Sequence, residues 1–471
     1  MSYEIVCGIE THVELSTNSK IFCSCPVSFG KASNTNVCPI CLGLPGTLPH
    51  FNEKVLDYAI MAGLATNCEI SDELSFDRKN YFYPDLPKGF QITQHHNPLC
   101  KNGYIELSSG KKIRINHIHI EEDAGKLIHK DGKTFIDYNR SGIPLIEIVS
   151  EPDISSPDEA LEYVKKLQHL MQYLGISDCK MQEGSLRCDI NVSVKKAGDK
   201  ELNTKTEIKN INSTSFIAKA IEQEAARQIE VLENGKGVIS ETRRYNELTQ
   251  ETESMRKKEK ASDYRYFKEP DLPTIKISLQ KVTSVKKLIP ENPDLKINRY
   301  IDEFKLSKSQ AATLAKYKNV ADYFETACEN IKNKNFVANF ITSQIFSMFN
   351  TESEKQKFKV HISALDLNKL MKFLDNKETS QHLAKTIFNQ MIETKKSFDE
   401  IITTVNTSLL DENATEKLCL EAVEKNQKAF SDYKSGREKA IDTLLSYVVK
   451  ESNGKVDIDL AKKFFSGYEI Y

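Results

Sequence analysis

The sequence lacks several features that would place the chain in a large class of proteins at once. No apolar run is long enough to span a bilayer, which argues against an integral membrane protein. No basic region followed by an apolar one stands near Met1, so we expect no secretory signal and a cytoplasmic location. Internal repeats and low-complexity tracts are also missing, so a repeat architecture is not predicted.

The chain has no excess of charge of one sign. Its 65 basic and 67 acidic residues leave a formal net charge of −2. Bulk charge would therefore attract phosphate groups only weakly, and nucleic acid would have to be bound through a local patch and through partners. This balance argues against a simple nucleic-acid-binding module.

Two common catalytic motifs are missing as well. The only string that resembles the end of a P-loop is Gly132-Lys133-Thr134, and Leu127 stands where the first glycine is required. We expect a hairpin turn after Asp131 instead. No GxSxG motif of a hydrolase is found. Any ATP must then be held by a metal ion and side chains on another scaffold.

What the sequence does contain indicates an α+β protein of several domains. Its 471 residues exceed one ordinary core, and 39% of them are hydrophobic. Residues 1–290 alternate in short strand-like segments with helices interspersed, and helical patterns follow the prolines of the segment 290–294. We expect a large β-rich domain over 1–290, a helical domain over 291–403 and a small helical tail domain over 404–471.

Two segments of the first domain show regular alternation. Residues 185–194 place Arg187, Asp189 and Asn191 on one face of a half-buried strand. Near the N-terminus, Glu10, His12 and Glu14 share a face in the same way. A helix is predicted after Ser156, which is followed by Pro157 and two acids, with Gly175 at its end.

The eleven cysteines fall into two groups. Several, such as Cys7, Cys68 and Cys188, lie among apolar residues and are predicted to be buried thiols. The others form a CxC…CxxC pattern that suits tetrahedral zinc in a closed, structural site. Four unrelated thiols or a disulfide remain alternatives. The pattern consists of Cys23, Cys25, Cys38 and Cys41.

Acidic residues recur at the ends of predicted strands. Together with the imidazole of His12, they provide the hard oxygen ligands that Mg²⁺ or Mn²⁺ prefers. Glu147 lies within an apolar segment, where an unpaired carboxylate is costly to desolvate, so it meets either a cation or an arginine such as Arg140 or Arg187. His12 alone has a purely structural alternative. The acids are Glu10, Glu121, Glu122, Asp123, Glu147 and Asp189.

Basic and aromatic residues alternate in Phe76–Asp85 and Lys88–Gln91. Such a segment can place cations and phenol hydroxyls around a polyanion. A solvated loop at a sheet edge is the alternative.

Taken together, these motifs resemble the family of B subunits of the tRNA-dependent amidotransferases that act on Asp-tRNA(Asn) and Glu-tRNA(Gln). The resemblance covers roughly residues 1–300 and rests on Gly8–Leu15, Phe76–Gln94, Glu121–Lys126, Pro144–Asp153, Glu183–Asp189 and Ser262–Asp271.

The resemblance implies a cradle-shaped catalytic domain, then a helical domain and a tail domain that binds tRNA. It implies that ATP converts the side-chain carboxylate of misacylated Glu-tRNA(Gln) or Asp-tRNA(Asn) into an acyl phosphate. Ammonia from an amidase A subunit then displaces phosphate, and a small C subunit completes a heterotrimer.

The resemblance also implies roles for individual residues. His12, Glu122 and Glu147 are expected to bind Mg²⁺, with Glu10 and Asp189 as a second set, although alternation through Ile118 and Ile120 would place Glu121 on the polar face. Arg78, Lys79 and Lys88 are expected to neutralise the transferred group. Lys79, Tyr81 and Lys88 alternatively line the route of ammonia.

Two departures from the family pattern limit these expectations. Many relatives lack the CxC…CxxC cysteines, so zinc is expected to be structural and outside the reaction. The tail segment Lys434–Lys439 is basic but is followed by few glycines, and a solvated turn is an alternative to a tRNA contact. A zinc-containing RNA-binding protein and a metal-dependent hydrolase that uses Glu10 and His12 remain the rival functions.

Overall fold

The computed structural model describes residues 2–209, 211–257, 264–376, 380–404, 410–452 and 454–468. Ser262 and Asp263 of the family-like segment, and residues 405–409 at the start of the predicted tail domain, lie outside them. The chain divides into two compact units, Met1–Glu291 and Asn292–Tyr471, within the segment where the sequence predicts a linker. Across the described ranges, no helix combines the length and apolarity needed to cross a membrane.

The described strands all belong to the first unit. In chain order they are β1 Tyr3–Glu14, β2 Glu69–Ile70, β3 Glu73–Leu74, β4 Asp77–Asn80, β5 Phe90–Thr93, β6 Cys100–Glu106, β7 Lys112–Glu122, β8 Lys126–Lys130, β9 Lys133–Asp137, β10 Pro144–Ser150, β11 Leu186–Lys196, β12 Thr206–Lys209, β13 Glu241–Asn246, β14 Glu251–Lys257, β15 Phe267–Lys268 and β16 Ile275–Lys276.

A nine-stranded sheet forms the centre of the first unit. Its strand order is β14-β13-β12-β11-β1-β10-β7-β6-β2, and all neighbours are antiparallel except β12 and β13. Smaller sheets pair β15-β4-β5, β16-β3 and β8-β9. The long strands β1 and β11 lie side by side in the middle, so the two segments with regular alternation become neighbours.

Helices of the first unit pack on one face of this sheet. Strand residues such as Ile9 share a core with Val164 and Leu167 of the second helix, while the alternate positions of β1 point to the opposite face. The predicted start of that helix is confirmed, because the Ser156 hydroxyl accepts a hydrogen bond from the Glu159 amide at 3.2 Å. The helices are α1 Glu53–Ala65, α2 Pro157–Tyr173, α3 Thr214–Glu233 and α4 Leu279–Lys286.

The described part of the second unit is helical. Two separate apolar cores occur in it, one within residues 300–401 and one within 419–465, and a domain boundary near residue 404 remains a prediction. The helices are α5 Pro293–Asp302, α6 Lys308–Ala315, α7 Lys318–Ala327, α8 Lys334–Phe340, α9 Glu352–Lys357, α10 Ala364–Asp375, α11 Gln381–Thr394, α12 Phe398–Ile402, α13 Glu412–Lys425, α14 Gln427–Lys434, α15 Ile441–Glu451 and α16 Ile458–Gly467.

The string that resembles a P-loop is a hairpin, as predicted. Lys130 at the end of β8 pairs with Lys133 at the start of β9. Asp131 and Gly132 between them have φ angles of +52° and +72°, the backbone of a tight two-residue turn. A strand-to-helix phosphate loop is therefore not formed by these residues.

Candidate metal and catalytic site

The face of the central sheet that points away from the helices carries the predicted ligands. His12 on β1 lies opposite Glu147 on β10 and, on its other side, opposite Arg187 on β11. Glu147 in turn lies opposite His119 on β7. Because directly opposed residues in an antiparallel pair project to the same face, four strands deliver polar side chains to one row.

Within this row, His12, Glu121 and Glu147 form a compact cluster. Their ligand atoms lie within 4.8 Å of one another. His12 Nε2 lies 3.3 Å from Glu147 Oε2 and 3.7 Å from Glu121 Oε1. Two carboxylates and one imidazole form a donor set that suits Mg²⁺ or Mn²⁺.

His119 lies on the other side of the cluster. The sequence patterns did not single out this residue. Its Nε2 lies 3.3 Å from Glu147 Oε2 and 3.6 Å from Glu121 Oε2. Although burial disfavours the imidazolium, Glu147 and Glu121 raise the pKa of His119 to about 10. Burial also opposes ionisation of Glu147, yet His12 and His119 hold the pKa of this carboxyl well below its ordinary value. The cluster thus strongly favours positive charge beside its carboxylates.

The expectation that Glu122 joins His12 and Glu147 requires correction. Glu122 lies on the opposite face of β7, where it accepts hydrogen bonds from Lys88 Nζ at 2.6 Å and from the Ile92 amide at 2.9 Å. Alternation through the strand explains this, since adjacent residues point to opposite faces. The structure brings Glu121 to the cluster instead.

A second acidic cluster lies beside the first. Glu10 on β1 is opposite Asp189 on β11, and Glu207 on β12 completes the group within 4.8 Å. Asn191 Nδ2 donates to Glu10 Oε1 at 2.9 Å, while the Lys209 ammonium bonds to Asp189. Burial and then the charge of Glu147 raise the pKa of Glu10. Glu10 and Asp189 therefore occur together, as expected, with Glu207 as an additional acid.

Neither arginine that the sequence offers as a partner caps Glu147. Arg187 Nη2 and Arg140 Nε both contact Asp123 Oδ2, at 2.9 and 3.3 Å. Glu14, on the same face as Glu10, belongs to this neighbourhood, because burial and then Asp123 raise its pKa to about 8. Both arginines therefore form ion pairs with Asp123 and not with Glu147.

The cations of the basic and aromatic segment occupy three different environments. Arg78 Nε contacts Glu269 Oε2 at 2.7 Å and its Nη2 contacts Asp271 at 3.1 Å, which ties β4 to the chain after β15. Lys88 is paired with Glu122, as described above. Lys79 lies against two phenol rings, with its Nζ 5.7 Å from the centre of Tyr81. Arg78 and Lys88 thus have carboxylate partners, and the expectation of three cations around one transferred group stays a prediction.

The four cysteines of the CxC…CxxC pattern converge. Their sulfur atoms lie within 4.8 Å of one another, and all four are free thiols. Lys20 Nζ lies 3.6 Å from Cys41 Sγ, and the Cys38 amide donates to the same sulfur at 3.2 Å. A hydrogen bond from Cys23 is the largest of the effects that lower the pKa of Cys41 to about 4. Four sulfurs with an anionic member fit tetrahedral zinc.

The predicted buried thiols are confirmed. Cys7, Cys68 and Cys188 are at most 7% exposed. They lie in the core of the first unit, away from the four-cysteine cluster.

Comparison with known proteins identifies the family. A model described as the GatB/GatE catalytic domain matches residues 5–283, and a GatB domain model matches residues 322–467. The B subunit of the aspartyl/glutamyl-tRNA(Asn/Gln) amidotransferase from Caldanaerobacter subterraneus subsp. tengcongensis is 47% identical over 98% of both chains. The chain belongs to this B-subunit family.

Further relatives of the same name have similar coverage. The B subunit of Carboxydothermus hydrogenoformans is 46% identical over 97% of this chain and 96% of its own length. That of Clostridium kluyveri is 44% identical over 98% of both. The likeness to B subunits thus extends through the helical second unit, beyond the roughly 300 residues on which the motifs rest.

Proposed function

We propose that this chain activates the side-chain carboxylate of Glu-tRNA(Gln), Asp-tRNA(Asn) or both with ATP and transfers ammonia to it. A carboxylate oxygen forms a bond to the γ-phosphorus of ATP while the bond to the leaving ADP oxygen breaks. The nitrogen of ammonia then bonds to the acyl carbon, phosphate leaves and a proton is lost. The products are Gln-tRNA(Gln) or Asn-tRNA(Asn), ADP and phosphate.

The observation that carries this proposal is the convergence of His12, Glu121 and Glu147 from three strands. These residues would hold Mg²⁺, and Glu10, Asp189 and Glu207 would hold a second ion. Bound there, Mg²⁺ offsets the repulsion between ATP and the substrate carboxylate and aligns the γ-phosphate. His119 stabilises the anionic form of Glu147, and Asn191 orients Glu10 through its hydrogen bond.

Lys79, Tyr81 and Lys88 have a different place in the proposal. Lys79 and Tyr81 face the substrate side of the site, where the ammonium of Lys79 can attract phosphate. Lys88 and Glu122, one pair at 2.6 Å, contribute to the route by which ammonia arrives. The cradle shape that the family resemblance implies for the first unit belongs to the same proposal.

The partners follow from the reaction. An amidase A subunit supplies ammonia from glutamine, a small C subunit joins the other two, and the tail over 404–471 contacts tRNA. The complex works in the cytoplasm, where the tRNA substrates are. Zinc at Cys23, Cys25, Cys38 and Cys41 is structural and stiffens the loop that precedes α1.

A zinc-containing RNA-binding protein without catalysis is disfavoured by the acidic clusters, which a pure binder does not need. A metal-dependent hydrolase that uses Glu10 and His12 would act without tRNA. Phosphate release from ATP discriminates among the three functions, because only the amidotransferase component requires Glu-tRNA(Gln) and the partner subunits for it.

The test reconstitutes the complex with the amidase and the small subunit and measures amidation of Glu-tRNA(Gln) and Asp-tRNA(Asn) side by side. Glu147→Gln is expected to lower ATP-dependent amidation at least about a hundredfold while tRNA binding is retained. Glu4→Gln is the control, since Glu4 is on the same strand face as His12 and 49% exposed at its side chain. Unchanged amidation by the Glu147→Gln variant would refute the assignment of the proposed site.

A further inference from the structure

A lysine of the first unit contacts the second acidic cluster, which consists of Glu10, Asp189 and Glu207. Lys209 is the last residue of β12, two positions after Glu207, so both side chains project to the same face of the sheet. The Lys209 ammonium bonds to Asp189 Oδ2 and lies 3.3 Å from Glu207 Oε1. A cation of the chain itself thus contacts two of the three carboxylates.

The three carboxylates need positive charge near them. Their ligand atoms lie within 4.8 Å of one another, so the ionised groups repel each other. The side chains of Asp189 and Glu207 are only 16% and 10% exposed, so water screens this repulsion poorly. One ammonium offsets a single negative charge, and the Asn191 amide adds a hydrogen bond to Glu10. Lys209 alone therefore leaves an excess of negative charge that favours a divalent cation.

The ammonium and a divalent cation would use the same oxygen atoms. Glu207 Oε1 faces Lys209, and Glu207 Oε2 accepts a hydrogen bond from the Thr242 hydroxyl at 2.8 Å. Both oxygens of Glu207 thus already have a donor of the chain. A metal ion bound directly to Asp189 and Glu207, at about 2.1 Å from their oxygens, would repel an ammonium on the same atoms. Such an ion therefore has to displace Lys209.

The Lys209 side chain can leave the cluster without unfolding of β12. It is 38% exposed, and its ammonium stands at the end of a flexible aliphatic chain. Loss of its carboxylate partners is costly unless another anion replaces them. The phosphates of ATP provide such an anion for the ammonium, and their oxygens complete the ligands of a divalent ion. Nucleotide binding therefore supplies what both partners of the exchange require.

We infer that Lys209 occupies the second cation site of the nucleotide-free protein and yields it to a divalent ion when ATP binds. The first cluster, His12, Glu121 and Glu147, holds its ion without nucleotide, whereas the second ion enters together with ATP. Lys209 is thus a positioning residue that keeps the second cluster assembled until the nucleotide arrives. The inference rests on the proposed function, which brings ATP to this face of the sheet but assigns no role to Lys209.

The experiment counts the Mn²⁺ ions held by the reconstituted complex, by equilibrium dialysis with and without a non-hydrolysable ATP analogue. It compares the wild type with Lys209→Met, which removes the ammonium, and with Lys209→Arg, which keeps a cation. The double variant Lys209→Met/Asp189→Asn shows whether an additional ion lies in the second cluster. Lys205→Met is the matched control, because Lys205 is an exposed lysine that immediately precedes β12. Circular dichroism verifies that each variant is folded.

We expect the wild type, Lys209→Arg and Lys205→Met to hold one ion without nucleotide and two with the analogue. Lys209→Met should hold two ions even without nucleotide, and the double variant should return to one. A folded Lys209→Met that holds a single ion without nucleotide would overturn the inference. So would a wild type that holds two ions without nucleotide, a result that does not depend on how any variant folds. Amidation of Glu-tRNA(Gln) by the wild type tests the proposed function by itself, so a negative result here leaves that function standing.

Discussion

At the scale of single residues, the candidate site depends on which of two adjacent glutamates lies on the same face as His12 and Glu147. Glu121 lies with His12 and Glu147, whereas Glu122 is buried on the other face against Lys88. The two carboxylates have the same chemistry and differ only in the face of β7 from which they project. Their functions are therefore expected to separate, one in metal binding and one in the charge balance of the opposite face.

Replacing Glu122 tests this separation through stability. Glu122→Gln keeps an acceptor for the Ile92 amide but leaves Lys88, whose side chain is 14% exposed, without its counter-charge. We expect the free energy of unfolding to fall by about 3 kcal/mol, as measured by urea denaturation. Glu106→Gln, at an exposed position of β6, serves as the control. A loss no larger than that of the control would show that the pair contributes little.

At the scale of elements, the site is a product of strand register. Alternation along β1 and β11 was predicted from the sequence, and with it the face shared by Glu10 and His12 on one strand and the face shared by Arg187 and Asp189 on the other. Alternation along β7 also favoured Glu121, although the family resemblance pointed to Glu122. A local pattern fixes the face of a side chain because the strand period is two.

What local patterns could not provide is the identity of the neighbouring strands. His119 opposes Glu147 because β7 pairs with β10, and Glu207 joins Glu10 because β12 pairs with β11. Neither pairing can be read from the period of a single strand, and neither residue lies in a motif that drew attention. The β-rich first domain, the helical second part and the cysteine cluster were predictable, since each has a local signature.

The two cysteine knuckles provide a prediction at the same scale. The purified wild-type chain should contain about one zinc ion, and Cys41→Ser should lose it and melt at a lower temperature. Cys328→Ser should keep the metal, because Cys328 is buried in the second unit, outside the cluster. Elemental analysis decides the matter, and a folded, reduced wild type without zinc would refute the assignment.

In the second unit, Glu325 on α7 joins that helix to α5. Its Oε1 lies 3.0 Å from Lys296 Nζ and 2.6 Å from Arg299 Nη2, and it accepts a hydrogen bond from the Tyr300 hydroxyl at 2.8 Å. Burial opposes the anion, but these three partners lower the pKa of Glu325 below its ordinary value. The contribution to stability is therefore present above the ordinary pKa and is lost as the pH falls through the folded-state pKa.

Glu325→Gln should accordingly destabilise the second unit by about 1–3 kcal/mol at neutral pH, after allowance for its partial exposure. The difference from the wild type should shrink when urea unfolding is repeated near pH 4, because the Glu325 carboxyl of the unfolded wild-type chain, whose pKa is the higher one, begins to be protonated there. A difference that stays constant with pH would show that packing, and not charge, is responsible.

At the scale of the whole molecule, chemistry and tRNA capture are proposed for different parts of the chain. The acidic clusters lie in the first unit, and a separate small core within 419–465 falls in the predicted tail. A substrate as large as tRNA can contact several such parts at once, so affinity and turnover should respond to different changes.

Removal of the tail tests this division. A chain that ends at residue 404 should retain most of its turnover at saturating Glu-tRNA(Gln), while the KM for this substrate rises about tenfold or more. Steady-state amidation by the reconstituted complex measures both constants. Loss of turnover with an unchanged KM would contradict the assignment of tRNA binding to the tail.

The central claim is that separate strands of the first unit hold a divalent cation at His12, Glu121 and Glu147. Its most direct test is Mn²⁺ binding, followed by electron paramagnetic resonance, in the wild type, Glu121→Gln and Glu122→Gln. We predict that Glu121→Gln loses one bound ion and that Glu122→Gln keeps it. Equal Mn²⁺ binding by the wild type and Glu121→Gln would contradict the account.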